Sequence, residues 1–323
     1  EILMYRKSYN IKIEGKGSEK YGTDVVIRGI NCNEYNGSTA IRAVFSFKTT
    51  AADLTLKNLT LQNAMDRNTM ISGTSSQSEA LYFDNANGHF AANNCSFKGY
   101  QDTLLLNTGR SWFYDCYVEG DTDFIWGSSD VVLLEKCKIV QLDTSADKNK
   151  TSGSYVFETR VSKDAVSTPT VGKGYVLFNT ELVSNHKTSY LARRASGAGA
   201  AGSNYYDQSA FINVTQTGDA ANLKGAFYVG NKPIYIEKDS SGNQNVGIKV
   251  YGGNLNKDFS TAWEGTITDD VYNKEYNGRN TIINRVYKKT GSYANADVIW
   301  DLSELESYFN AEKDNSTLDR KSV

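Results

Sequence analysis

The chain has 323 residues, enough for one large domain or two ordinary ones. Its 35 basic and 37 acidic side chains give a net charge of −2, which argues against nucleic acid as the main partner. No apolar run approaches the roughly 20 residues of a membrane-spanning helix, so no membrane partner is expected. The first ten residues, EILMYRKSYN, lack the apolar stretch of a signal peptide.

A short phrase recurs along the chain in strand-like sequence that is rich in Gly and Tyr and has only 2 Pro. Cys95, Cys116 and Cys137 lie 21 residues apart, in NNCSF, YDCYV and EKCKI. The related phrases KNLTL, at 57–61, and FNTEL, at 178–182, continue the pattern. Self-similarity at this period predicts a solenoid, and the absence of a helix signal inside the unit favours a parallel β-helix over leucine-rich repeats.

Equivalent residues on successive coils of a β-helix lie about 4.8 Å apart. The three cysteines are therefore expected to form an internal stack, packed as small apolar groups. A disulfide between neighbouring cysteines of the stack remains an alternative, because the spacing of the coils permits the Cα separation that a disulfide requires.

Asp102 and Asp123 are also 21 residues apart, so the same period predicts that their carboxyl groups lie on neighbouring coils. Two such acids cannot both ionise freely at neutral pH, because repulsion raises the pKa of one of them. One could then donate a proton while the other attacks as a carboxylate. A purely structural role at a corner also remains open for both, and is the expectation for Asp121.

Towards the end of the chain, GAFYVGNKPIYIE and GIKVYGGNL read as strands, and one helix is predicted near the C-terminus. Ser303 followed by Glu306 matches a capping box, and the tail from Glu312 onward is expected to be loose. The predicted organisation is a single β-helix domain over 1–300, followed by the helix and tail over 301–323. The apolar side of this helix consists of Leu305, Tyr308 and Phe309.

Four segments resemble the pectin methylesterase family, carbohydrate esterase family 8. GYQDTL at 99–104 and DFIWG at 123–127 resemble its segments GYQDTLY and DFIFG at the same separation. QSEAL puts Gln77 on the glutamine of the family, and YLARR, a poorer match to YLGRPW, puts Arg193 on its arginine. The four segments come in the order of the family, and the similarity spans roughly residues 25–215.

The resemblance implies an all-β, right-handed parallel β-helix with an open cleft, and hydrolysis of the methyl esters of pectin to methanol and free carboxylate. Asp123 would be the nucleophile, Asp102 the acid and then the base, and Gln77 and Gln101 the donors to the oxyanion. Arg193 would hold Asp123 and depress its pKa, while Asp123 raises that of Asp102. No metal or cofactor is required.

Gln101 and Asp102 are neighbours, and neighbours on a flat strand point to opposite faces. Both can reach the cleft only if the chain bends, and Gly99 is the residue expected to permit that bend.

Tyr100 and Trp126 are candidate substrate-binding residues, because aromatic faces suit sugar rings, although packing remains open for both. YLARRAS lacks the Gly, Pro and Trp of the family segment, and Arg194 could compensate by attracting an acidic polymer. The family's first coil, before Tyr9, is expected to be short or missing, consistent with a fragment. These departures favour a diverged bacterial branch over a plant enzyme.

The expected partner is pectin or an oligogalacturonide, and the expected protein is a monomer that is secreted, periplasmic or on the cell surface. An esterase or thioesterase of the same fold, a non-catalytic polysaccharide-binding β-helix and a Ca²⁺-dependent lyase remain alternatives. The two histidines, His89 and His186, lie in no triad or nucleophile-elbow context, which argues against a serine hydrolase, and no zinc site is expected.

The two-aspartate interpretation predicts that Asp102→Asn and Asp123→Asn each remove most esterase activity and leave the fold intact. Methanol release and far-ultraviolet circular dichroism measure the two quantities. Wild-type rates in either variant would contradict the mechanism.

Overall fold

The computed structural model describes most of the chain, although Arg194, the eight residues before Tyr9 and most of the Gly- and Ala-rich stretch after Ser196 lie outside the described residues. The described residues are 9–49, 52–69, 76–86, 88–144, 146, 153–162, 170–171, 173–193, 205–206, 208–219, 223–227, 247–255, 264–284, 287–288, 299–314 and 316.

Three parallel sheets run along the molecule, and the chain visits them in turn once per coil. The first sheet contains Tyr9–Glu14, Ala52–Lys57, His89–Asn93, Arg110–Tyr114, Val131–Glu135, Gly174–Phe178, Ser209–Ile212, Ile248–Tyr251 and Glu264–Thr266. The second contains Val26–Gly29, Thr60–Asn63, Ser96–Lys98, Tyr117–Gly120, Lys138–Gln141, Glu181–Ser184 and Thr215–Gly218. The third contains Phe45–Lys48, Leu81–Asp84, Leu104–Leu106, Ile125–Gly127, Ser154–Thr159, Ser189–Arg193 and Leu223–Phe227.

Short elements complete the fold, and three of its α-helices were not predicted from the sequence. The antiparallel pairs are Val161–Ser162 with Tyr205–Tyr206 and Thr170–Val171 with Tyr287–Lys288. The α-helices are Thr39–Arg42, Asp269–Glu275, Arg279–Asn284 and Ser303–Phe309, and the 3₁₀ turns are Lys20–Gly22 and Arg67–Thr69. None of the described helices has the length and apolar composition that a membrane span requires.

The register of the sheets confirms the repeat. Ser96, Tyr117 and Lys138, each directly after a cysteine, are successive partners in the second sheet, 21 residues apart. The longer spacings are also partners, since Thr60 pairs with Ser96 and Lys138 with Glu181. The cysteines of the stack are buried, and each is a free thiol, so the disulfide left open by the sequence is not formed.

The corners between the first and second sheets turn on residues with left-handed backbone, with φ between 49° and 55°. Asn and Asp tolerate this conformation better than other L-residues, because their short side chains bond locally. Asn94 also donates a hydrogen bond to the side chain of Asn58 at 3.0 Å, and Asn213 to that of Asn179 at 3.1 Å. The corner residues are Asn58, Asn94, Asp115, Lys136, Asn179 and Asn213.

The interior of the coil is filled by apolar side chains from all three sheets. Phe90, for example, packs against Phe113 and Phe83, with ring centroids 5.1 and 5.5 Å apart. Burial of each such ring contributes about 1.5–3 kcal/mol to folding.

A second apolar cluster lies on the outer face of the first sheet, which the C-terminal helices cover. Arg279 anchors them by donating two hydrogen bonds to the buried carboxylate of Glu135, at 2.9 and 2.8 Å. Trp112, from the sheet, donates to the same carboxylate at 3.0 Å. These helices therefore cover the outer face of the first sheet.

The C-terminal prediction is corrected in two details. The helix forms over Ser303–Phe309, but Ser303 is its first residue and its backbone N–H bonds to Asp301, so there is no capping box. The tail from Glu312 is not loose in its described part. The carbonyl of Glu312 accepts from Arg279 at 2.7 Å, and Asp314 accepts from the backbone N–H of Asn280 at 2.6 Å.

Lys136 is the only one of the six corner residues named above that is neither Asn nor Asp, although its φ is 53°. Left-handed backbone costs an ordinary L-residue roughly 1–2 kcal/mol, and Asn less. Lys136→Asn should therefore be more stable than Lys136→Gln by about 0.5–1 kcal/mol, since both variants lose the exposed ion pair with Glu312. Denaturant midpoints of the two variants test this, and equal midpoints would contradict it.

Candidate active site

The candidate site lies where the chain passes from the second sheet to the third. Leu104 pairs with Ile125 and Leu105 with Trp126, so Asp102 and Asp123, two residues earlier on each coil, occupy equivalent positions. The backbone N–H of Asp102 donates to the carbonyl of Thr122 at 3.0 Å, which extends the pairing to the corner itself. Adjacent rungs are about 4.8 Å apart, so the two aspartates are neighbours as predicted.

Both aspartates have left-handed backbone, with φ of 65° at Asp102 and 50° at Asp123. This turn, and not Gly99, provides the bend that brings Gln101 and Asp102 to the same site, which corrects the expectation from the sequence. Gly99 instead allows the side chain of Thr103 to lie close to the backbone, because a Cβ atom at position 99 would be 2.8 Å from the hydroxyl of Thr103.

The carboxyl of Asp123 is buried, between Arg193 on one side and Glu158 of the next coil. Arg193 donates a hydrogen bond to its Oδ2 atom. The Oδ1 atom, also shielded from solvent, accepts no hydrogen bond from the described residues. An acceptor oxygen without a donor in a buried site is poorly solvated, which suits a nucleophile.

Arg42, the last residue of helix Thr39–Arg42, enters the site from the side of Asp102. It is 3% exposed, and its Nε and Nη2 atoms bond to the carboxylate of Glu79 at 2.7 and 2.5 Å. The same guanidinium donates to Oδ2 of Asp102 at 3.1 Å and to Oε1 of Gln77 at 2.9 Å. Neither Arg42 nor Glu79 was predicted as a site residue.

The two glutamines lie side by side, since Gln77 and Gln101 form a parallel β-bridge. Arginine has no acceptor, so the amide atom of Gln77 that faces Arg42 must be its oxygen. Ser76 similarly donates to Oε1 of Gln101 at 3.0 Å. With both amide oxygens bonded, the NH₂ groups of the pair are the parts available to donate to an oxyanion.

Beyond Asp123, the next coil contributes Glu158, which is directly across from Trp126 in the third sheet. Glu158 is buried, accepts from Arg160 at 2.9 Å and lies 3.9 Å from Arg193. Arg160 also lies over the ring of Trp126, 4.7 Å from its centre. These charges were not predicted either.

Burial raises the pKa of both aspartates. For Asp102, the negative charges of Glu79 and Asp123 raise the pKa further, against the opposing charge of Arg42. For Asp123, burial is again the largest cause, and Glu158 adds to it, while Arg193 acts in the opposite direction. Arg193 lowers the pKa of Asp123 as predicted, but burial and Glu158 outweigh this effect, so the net shift of the pKa is upward.

Among the described residues of this corner, four carboxyl groups face three guanidinium groups, so one proton makes the cluster neutral. Asp123 bonds directly to Arg193, and Glu158 to Arg160. Asp102 has only Arg42, which already makes two bonds to Glu79. Asp102 therefore has the least cationic support of the four carboxyl groups.

The remaining predicted residues lie at the edge of the site. The ring of Tyr100 lies 5.4 Å from the guanidinium of Arg67, which bonds to Asp121. Asp121 also accepts from its own turn and from Thr144, so its expected structural role is confirmed. Trp126 is 7% exposed, and its indole N–H has no partner among the described residues.

Within the described part of the chain, no group of three or more His, Cys, Asp and Glu side chains is arranged to hold a metal ion. The polar groups described at this corner are carboxyl, amide and guanidinium groups.

The residues that the sequence missed carry a weak local signal. Glu79 lies directly before the buried residues Ala80 and Leu81, and Glu158 directly after the buried segment YVF. A charged side chain is unusual in such a run of buried residues. The residues before Arg42 have the composition of a protein surface and give no sign of a buried site. Its contact with Asp102 is evident only from the fold.

The fold and the site together define a class, a parallel β-helix protein with a buried pair of aspartates on adjacent coils. The pectinesterase family model matches residues 1–195, which is more than half of the chain. The chain belongs to the pectinesterase family, and the recognition made from its motifs is confirmed.

Among curated proteins, pectinesterase 31 of Arabidopsis thaliana is 35% identical over 98 residues, which are 30% of this chain and 26% of that protein. The chain spans less than half the length of each of the first relatives it matches.

Solved structures agree on the fold. Pectin methylesterase PemA from Erwinia chrysanthemi superposes with a TM-score of 0.62 at 18% identity, covering 92% of this chain and 86% of that one. A pectin methylesterase in complex with a hexasaccharide gives a TM-score of 0.61 at 18% identity, with the same coverage of 92% and 86%. The predicted all-β, parallel β-helix fold is thereby confirmed.

The raised pKa of Asp102 makes a prediction about stability. A carboxyl whose pKa is higher in the folded state than in the unfolded state stabilises the folded protein fully only below its unfolded pKa of about 3.9. This contribution to the free energy of unfolding is lost as the pH rises through the folded pKa. Asn cannot ionise, so Asp102→Asn should be more stable than wild type at about pH 7–8. The gain should be about 1.4 kcal/mol for each pH unit above the unfolded pKa, until the folded pKa is reached.

Calorimetric melting of both proteins from pH 4 to pH 8 measures this effect. The gain should shrink toward pH 4 and should not occur in Glu304→Gln, which changes an exposed carboxylate. A gain that does not depend on pH would contradict the assignment.

Proposed function

We propose that the protein is a carboxylic ester hydrolase that removes methyl esters from pectin, releasing methanol. The observation that carries this proposal is the pair of buried carboxyl groups on adjacent rungs. Asp123 is bonded to Arg193, and Asp102 is bonded to Arg42, whose guanidinium also makes two bonds to Glu79. The membership of the pectinesterase family supports the choice of ester.

In the first half of the reaction, the Oδ1 atom of Asp123 attacks the carbonyl carbon of the ester. The negative oxygen of the tetrahedral intermediate accepts hydrogen bonds from the NH₂ groups of Gln77 and Gln101. Each such donor contributes about 2.7–4 kcal/mol of transition-state stabilisation. When the intermediate collapses, Asp102 gives its proton to the departing methoxide, and methanol and an acyl-enzyme result.

In the second half, Asp102 is a carboxylate and removes a proton from water. The resulting hydroxide attacks the acyl carbon, and the bond to Asp123 breaks. Asp123 leaves as a carboxylate, bonded again to Arg193, and Asp102 carries the proton for the next turnover. The products over one cycle are a galacturonate carboxyl group and methanol, and the enzyme returns to its initial state.

The substrate class is inferred from the surroundings of the aspartates. Tyr100, which is partly exposed, is proposed to offer aromatic surface to a sugar ring at the corner. Trp126 is 7% exposed with Arg160 over its ring, and it is proposed to form part of the wall of the site. Arg194, outside the described residues, is proposed to attract the acidic polymer. A protein of this fold with a bound hexasaccharide supports a chain of sugars as the ligand.

A pectin-degrading role in the modification of plant cell walls follows from this substrate, and a polymer of that size requires an enzyme outside the cytoplasm. We therefore place the protein as a secreted, periplasmic or surface enzyme, acting as a monomer, from a bacterial branch of the family. The altered YLARR segment supports the last point.

Methanol release from methylated polygalacturonan tests the proposal, with demethylated polymer as the substrate control. Wild-type protein should release methanol only from the methylated polymer. Asp123→Ala should lose this activity because the nucleophile is gone, while it still binds the polymer. Asp270→Ala, which removes an exposed carboxylate of helix Asp269–Glu275, should behave as wild type.

The alternatives give other outcomes in the same experiment. Binding without methanol at any pH indicates a polysaccharide-binding module, and turnover of short acyl esters alone indicates a different ester. An unsaturated product that absorbs in the ultraviolet indicates a lyase. Undiminished methanol release by Asp123→Ala would overturn the proposed nucleophile.

A further inference from the structure

The guanidinium of Arg42 connects two groups that the proposed reaction uses separately. Its five N–H bonds are matched by five hydrogen bonds. The partners are Glu79, which accepts twice, and Asn33, Gln77 and Asp102, which each accept once.

We infer that Arg42 is a positioning residue, fixed by Glu79, which holds the acid Asp102 and the oxyanion donor Gln77 in one rigid frame. This inference rests on the proposed function and names residues to which the two-aspartate mechanism assigns no role.

The first argument is geometric. A planar guanidinium with every donor bonded has one orientation, because any rotation breaks several bonds at once. Arg42 must present its Nη1 edge to Gln77 and its Nη2 edge to Asp102. The oxygen of Gln77 is thereby bound, and its NH₂ group is left to face the substrate. Arg42 thus selects the orientation of the amide as well as its place.

The second argument concerns charge. An arginine beside Asp102 would by itself favour the ionised carboxyl and remove the acid. Glu79, which is 0% exposed and bound to Arg42 through both oxygens, balances the charge of Arg42. Asp102 can therefore be held by a cation and still keep its proton.

Among the described residues, four charged groups have the largest effect on the pKa of Asp102. Glu79, Asp123 and Glu158 favour its protonated form, and Arg42 favours its ionised form. A neutral residue at position 79 removes one of the three negative charges and leaves Arg42 uncompensated.

The pH dependence of kcat/KM for methanol release tests the role of Glu79. Because Gln can still accept from Arg42, Glu79→Gln should fold. Its alkaline limb, where Asp102 loses its proton, should move to lower pH by about 1 unit, and its acidic limb should stay in place. An alkaline limb identical to that of wild type would overturn the role of Glu79.

The chain offers a matched control in Glu135→Gln. Glu135 is likewise buried and accepts two bonds from an arginine, Arg279, but on the opposite side of the coil. This variant should lose stability and keep the wild-type pH profile. A purely structural role for Glu79 predicts the same behaviour at both positions.

The role of Arg42 is tested in a double variant, Arg42→Met with Glu79→Met, which removes both charges and leaves no unpaired ion. The expected result is a folded protein with KM close to that of wild type and kcat lower by about 10²-fold, because Asp102 and Gln77 are no longer held. Wild-type kcat in a folded double variant would overturn the inference.

If the double variant does not fold, Arg42→Lys supplies the same test, since it keeps the charge and cannot make five bonds. Its kcat should fall without a shift of the alkaline limb, and an unchanged kcat would contradict the positioning role. An inactive wild-type protein would instead refute the proposed function itself, so the two failures are distinguishable.

Discussion

The parallel register between strands Leu104–Leu106 and Ile125–Gly127 is the constraint on which the site depends. Hydrogen bonds between neighbouring coils fix the spacing of equivalent residues at about 4.8 Å. Two carboxyl groups at one position of successive coils are then forced together, whatever their repulsion costs. The free energy gained by packing the interior of the coil offsets the electrostatic repulsion between these carboxyl groups, so residues far from the site stabilise it.

This repulsion has a chemical consequence, because the carboxyl groups in the corner differ in the arginines that they contact. Arg193 bonds to Asp123 and lies 3.9 Å from Glu158, whereas Arg42 makes one bond to Asp102 and two to Glu79. Burial raises the pKa of both carboxyl groups, and the proposed mechanism assigns the carboxylate to Asp123, which is bonded to Arg193, and the carboxylic acid to Asp102. The proposed division of roles rests on the number of arginines in the corner and on how the carboxyl groups share them, and not on Arg193 alone.

The sequence was sufficient for the coil and for the aspartate pair, because both depend on a local period that survives in the spacing of Cys95, Cys116 and Cys137. It was insufficient for Arg42 and Glu158, which reach the corner through coils whose lengths differ from 21 residues, so no fixed spacing connects them to Asp102 or Asp123. The sequence indicated Gly99 for the bend because glycine permits one, whereas the left-handed backbone of Asp102 depends on its place at the corner. The helices that cover the first sheet were missed for a related reason, since they are short and stabilised by contacts such as that between Arg279 and Glu135.

The central claim is that one proton resides on Asp102 while the neighbouring Asp123 is ionised. Neutron diffraction from crystals of the deuterium-exchanged protein near neutral pD measures this directly. The account predicts nuclear density for a deuteron on a carboxyl oxygen of Asp102, none on Asp123, and both side chains on the outer side of adjoining rungs. A deuteron on Asp123 with a bare Asp102, or either carboxyl turned into the interior of the coil, would contradict it.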